Sequence, residues 1–128
     1  MVLRDSIIGM YSRPVSMQVT ALKNWRIKMA KTEIEIITIF KNHITTCGGS
    51  HSDWYVGIAQ DPVKRLFDDH AVNRQTDAWI YDYACTSDTA RNIEKYFVET
   101  LGYDGGPGGG DETTNAVYAY KKNYHTNP

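Results

Sequence analysis

Three stretches of the chain alternate apolar with polar or small positions at the period of a half-buried strand. In WYVGIA, Trp54, Val56 and Ile58 alternate with Tyr55, Gly57 and Ala59. Over 79–85, Trp79, Tyr81, Tyr83 and Cys85 share one face and Ile80, Asp82 and Ala84 the other. Over 115–121, Val117 and Ala119 oppose Tyr118 and Tyr120. The segments between them carry helix signals. Residues 32–47 are rich in isoleucine and threonine, which favour strands. Yet Thr32 and Glu35 form a capping box, Gly48-Gly49 is a stop signal, and the length suits a helix better than a strand. Asp61 is a good N-cap and Pro62 a good first residue for a second helix, because Pro loses no hydrogen bond there. Ser87 is the expected cap of a third helix over 88–101, which Gly102 ends.

These elements predict one α/β (α+β) domain, a small three-stranded, mainly antiparallel sheet flanked by helices, over residues 32–122. Residues 1–31 have no clean period and are expected to be a peripheral extension, with Trp25 and Ile27 docking on the body and Met29-Ala30-Lys31 a natural start of translation. Residues 123–128 are expected to be a frayed tail. The glycine cluster at 102–111 is no phosphate-binding loop, since no GK[ST] follows it; it reads as a long connection, with a role over a cleft as the lesser alternative.

Composition narrows the class. A chain of 128 residues can bury a core without a metal or a disulfide to hold it. Cys47 and Cys85 are far apart and form no CxxC pair, so they read as reduced thiols in a cytoplasmic protein. No apolar run approaches a membrane span, and no signal peptide is evident. The formal net charge of −1 lacks the basic excess with which a free-standing domain grips nucleic-acid phosphates, which leaves a local basic patch or a partner.

Two residues stand out on the helix wheels. On the third helix, Ala90, Ile93, Phe97, Val98 and Leu101 share a face with Glu94 among them. A carboxylate on an apolar face is costly unless it is paired or binds a cation, so Glu94 is either a metal ligand or the partner of an Arg or Lys at the edge of the face. On the second helix, Val63, Leu66, Phe67 and His70 point inward, while Arg65 points away from Val63. His70 is either a satisfied core residue or, if Tyr55 and Arg65 lie nearby, part of a site.

Tyr55-Val56-Gly57, the Asp61-Pro62 turn, Lys64-Arg65-Leu66 with Arg65 ten residues after Tyr55, and a later helix bearing a carboxylate together resemble the GIY-YIG nucleases. These are metal-dependent phosphodiesterases on a small α/β domain, and the resemblance spans residues 55–115. It implies a DNA endonuclease in which Tyr55 and Arg65 hold the water and the phosphate, Glu94 holds a single Mg²⁺ or Mn²⁺, and Asn115 is a supporting, substrate-side asparagine. His70 would be the histidine of the site, although it follows Arg65 by five positions where four is more usual in the family. No GIY tripeptide precedes Tyr55. If the strand over 115–121 pairs with that of Tyr55, Tyr118 or Tyr120 would present the missing hydroxyl. A tyrosine titrates near 10 and serves as a base only where a cation or Arg lowers that value. The alternative is a catalytically silent protein of this fold that binds nucleic acid or a protein partner. For a domain with so little positive charge, a homodimer or a protein partner would supply a second grip on DNA.

Overall fold

The computed structural model describes residues 7–8, 30–106 and 112–128. Its elements are strand β1 (Ile7–Ile8), helix α1 (Glu33–Cys47), strand β2 (Trp54–Ala59), helix α2 (a π-helix over Lys64–Asp69), strand β3 (Trp79–Tyr83), helix α3 (Ser87–Lys95, continued as a π turn over Tyr96–Thr100) and strand β4 (Ala116–Lys121). The three expected strands form the antiparallel sheet, and β1 adds a short fourth at its edge, giving the order β1-β3-β4-β2. The last long strand in sequence is therefore central. It pairs with β2 through Tyr55↔Tyr120 and Gly57↔Tyr118, and with β3 through Trp79↔Tyr120 and Tyr81↔Tyr118.

The alternation sorts the sheet into two chemically different faces. Trp54, Val56, Ile58, Ile80, Val117 and Ala119 pack against α1 and α3, whose Ile36, Phe40, Ala90, Ile93 and Phe97 complete a largely aliphatic core. The opposite face carries five tyrosines (55, 81, 83, 118 and 120) and Trp79, covered by Leu66 and Val72. Buried phenols need hydrogen-bond partners, so this second face is the one that can hold polar chemistry.

Helix α1 forms despite its β-branched residues because both ends are satisfied. Thr32 and Glu35 make the reciprocal capping box, and Gly48, at φ 86°, sends its N–H back to the Ile44 carbonyl. Helix α3 starts one residue earlier than expected: Thr86, rather than Ser87, accepts from the Thr89 N–H as its cap. Among the described residues no helix is long and apolar enough to cross a membrane.

Two boundary expectations change. Lys31 belongs to the body: its backbone exchanges hydrogen bonds with Tyr83 and Cys85, and its buried ammonium meets Asp82 Oδ1 at 3.2 Å. Together with the pairing of Ile7–Ile8 to β3, this gives part of residues 1–31 a structural place; Trp25 and Ile27 lie outside the described residues. The segment 123–128 is not frayed. Asp77, itself buried, accepts from Asn123 Nδ2 at 2.7 Å and lies 2.6 Å from His125 Nε2, and Asn127 bonds to His70. Polar side chains that looked like solvent-facing tail residues are instead partners for a buried carboxylate, which accounts for the docking.

Candidate functional site

The tyrosine face opens into a cavity of about 470 Å³ where β2 gives way to α2. Tyr55, Arg65, Glu94 and Tyr118 all line it. Each arrives by a different route. Tyr55 is placed by the alternation of β2, and Tyr118 by the neighbouring β4. Arg65 comes from α2, which Asp61 caps by accepting the Lys64 N–H. Glu94 comes from α3 on the far side of the sheet, and reaches the cavity because β2 is the sheet's last strand.

Gly57 has a steric reason to be glycine. A Cβ there would lie 2.6 Å from both Cζ and the hydroxyl of Tyr118, whose ring crosses β2 at that point. Gly57→Ala is expected to displace Tyr118 and lower the melting temperature; an unchanged melting temperature and an unchanged Tyr118 ring position by NMR would contradict this. Gly106 is constrained in the same way, since a Cβ on it would sit 2.7 Å from the Tyr55 hydroxyl. The start of the glycine cluster thus borders the cavity, while residues 107–111 lie outside the described residues.

His70 sits beneath the phenols. Its Nε2 is 2.7 Å from the Tyr118 hydroxyl, its Nδ1 is 2.7 Å from the Asn127 carbonyl oxygen and 3.1 Å from the Tyr120 hydroxyl, and its ring packs 4.7 Å from that of Tyr55. The five residues from Arg65 to His70 are spanned by the π-helix, in which N–H groups bond five residues back; the His70 N–H donates to the Arg65 carbonyl at 2.9 Å. One extra residue in the turn is thereby absorbed while Arg65 and His70 stay on adjoining ground. After His70 the chain reverses through Ala71, at φ 57°, a conformation that non-glycine residues seldom adopt. Deleting the exposed Asp68 is expected to convert the π turn to an α turn and to leave the melting temperature equal to or above that of the parent. A large loss of stability would show that the extra residue has a structural role of its own.

Burial governs the electrostatics. It raises the Glu94 carboxyl above its usual range, an effect that Arg91 opposes and Glu99 reinforces. Glu94 is 8% exposed and makes no hydrogen bond or ion pair among the described residues. The other carboxylates on the cavity wall are engaged: Asp61 caps α2, and Asp69 binds Arg65 Nη1 at 2.9 Å and Lys64 at 3.3 Å. Burial also raises Tyr55, although a hydrogen bond with the Gly106 backbone and the Arg65 charge pull the other way. Tyr118 and Tyr120 are pushed far up, by burial first and by the neighbouring Tyr55 second. Burial lowers His70. At neutral pH the phenols are therefore protonated and His70 is a neutral imidazole. A carbonyl oxygen can only accept, so the Asn127 contact assigns the proton to Nδ1 and leaves Nε2 to accept from Tyr118.

The structure brings together Tyr55, Arg65, Glu94, Tyr118 and, by contact with Tyr118, His70. Tyr120 is buried beside His70 and lies off the cavity wall. Asn115 is elsewhere: its amide donates to the Ala84 carbonyl at 3.1 Å and extends the β3–β4 pairing. Its neighbour Thr114 lines the cavity in its place, as do Gln60 and Lys64. Lys64 had a sequence signal, standing next to Arg65 on the first turn of the helix; Thr114 and Gln60 had none. Among the described residues no three His, Cys, Asp or Glu side chains converge as a metal cage. Comparison with protein-family models, with curated proteins and with solved structures finds no match to this chain.

Proposed function

We propose that the chain is a GIY-YIG-like, divalent-metal-dependent endonuclease that hydrolyses DNA phosphodiester bonds. The observation that carries the reading is that two phenols, a guanidinium and a carboxylate with no hydrogen-bond or ion-pair partner among the described residues line one open cavity. Hydrolysis of a phosphodiester needs a deprotonated water, donors on the phosphate and compensation of developing charge. Arg65, with Lys64 beside it on the cavity wall, would hold phosphate oxygens. Tyr55 orients the water. As that water attacks phosphorus, its proton passes to the Tyr118 oxygen while the Tyr118 proton passes to His70 Nε2; the P–O bond to the leaving oxygen breaks, and that oxygen takes a proton from solvent. The relay spares Tyr118 from ionising by itself, which its buried position disfavours.

In this reading Glu94 alone would hold Mg²⁺ or Mn²⁺. Small hard cations commonly keep several waters and use one or two carboxylates together with substrate phosphate, and the cavity offers room for such a shell. When bound, the ion supplies charge stabilisation at the phosphate. The net charge of −1 favours a second grip on DNA from a homodimer or a protein partner. The free thiols, with Cys85 exposed, accord with a cytoplasmic setting.

A catalytically silent nucleic-acid- or protein-binding role is favoured by one feature, the Arg65–Asp69 pair, which already engages part of the guanidinium. Plasmid nicking by purified protein in Mg²⁺ or Mn²⁺, with EDTA as control, separates the two. Arg65→Ala is expected to reduce nicking about 10²–10³-fold, the usual cost of removing a donor on developing charge. Arg65→Lys is expected to recover only part of it, because an ammonium lacks the planar fork. No metal-dependent nicking by the parent would leave the silent reading.

A further inference from the structure

We propose that the segment 123–127 is a positioning strap that fixes the tautomer of His70, so that the nitrogen facing Tyr118 is always the proton acceptor. The inference rests on the reading of Tyr118 and His70 as a proton path, and it adds a control element outside the cavity. A neutral imidazole carries one proton on either of two nitrogens, and only the form with Nε2 free can take the Tyr118 proton. Hydroxyls cannot make that choice. Tyr118 at Nε2 and Tyr120 at Nδ1 both donate or accept, so with these two neighbours alone either tautomer would be satisfied. The Asn127 carbonyl, 2.7 Å from Nδ1, accepts only and removes the ambiguity.

The strap is held at two points. Asn127 N–H donates to the His70 carbonyl at 2.8 Å, closing a two-bond clasp around the same residue. Further back, the buried Asp77 engages both Asn123 and His125. Asp77 is itself fixed by the Asn73 N–H at 2.7 Å, in the loop between α2 and β3. None of Asn123, His125 and Asn127 lines the cavity, so their effect on it is exerted through His70.

The test is ¹⁵N NMR of the His70 ring at neutral pH in the full chain, in a chain ending at Lys122, and in the full-length double variant Asn123→Ala/His125→Ala. The full chain is expected to show Nδ1 protonated and Nε2 free. Both altered proteins are expected to show a substantial population with the proton on Nε2, and plasmid nicking reduced at least tenfold in kcat with KM little changed. If the shortened chain does not fold, the double variant decides. Retention of the single Nδ1-protonated form without the strap contacts would overturn the proposal. A tautomer shift in a protein whose parent cleaves no DNA would uphold the strap and count against the nuclease reading alone.

Discussion

Glu94→Gln is expected to lower metal-dependent nicking by about 10²–10³-fold or more while leaving the melting temperature equal to or above that of the parent. The two effects have one cause. Glu94 is a buried carboxylate with no ion-pair partner among the described residues, and burial raises its folded-state pKa. A raised carboxyl pKa means that the folded state binds the proton more tightly than the unfolded state, so the charge costs stability at every pH above the folded value. Gln keeps the shape, removes the charge and with it that cost, but cannot neutralise a cation. The stability advantage of the variant should therefore be largest near neutral pH and shrink as pH falls through the raised folded pKa toward the ordinary glutamate value. Thermal melts across that window, read beside nicking assays, check both halves. A variant that is inactive and clearly less stable would mean that Glu94 is an ordinary structural carboxylate.

Lys31→Ala is expected to destabilise the fold by about 3–5 kcal/mol, the range for removing one partner of a buried ion pair. Asp82 is 1% exposed, and the variant would remove from its side the ammonium 3.2 Å away, a charge partner inside the same apolar layer. The Tyr83 N–H, which also donates to Asp82 Oδ1, would remain but cannot replace a full charge. Replacing both partners by apolar residues, as in Lys31→Met/Asp82→Leu, is expected to recover most of the loss, because the desolvation of two charges disappears with them. Urea unfolding of the single and double variants measures the difference. A single variant within 1 kcal/mol of the parent, on the same order as an exposed pair, would show that the pair is solvated in solution.

The elements themselves could be read in the order of residues, because each rests on a local rule. Period-2 alternation separated Tyr55 from Val56 and Tyr118 from Val117, and so dictated which side chains share a face before any pairing was known. The Thr32–Glu35 box and Gly48 settled a helix that isoleucine content alone would have made a strand. The helix wheel singled out Glu94 as a carboxylate in need of an explanation.

What the chain order could not supply was neighbourhood. That β4 inserts between β3 and β2, and so sets the Tyr118 ring across Gly57, depends on strand order, which local periodicity does not encode. That Glu94 from one side of the sheet and Arg65 from the other line the same cavity depends on β2 being the last strand. The π turn that reconciles Arg65 with His70, the removal of Asn115 to a structural bond with Ala84, and the docking of 123–127 on Asp77 and His70 are likewise long-range outcomes. The physical division is simple: caps, periodicity and turns are settled within a few residues by the backbone's own hydrogen bonds. Where a buried carboxylate or imidazole finds its partner is settled only when segments tens of residues apart compete to exclude water from the same place.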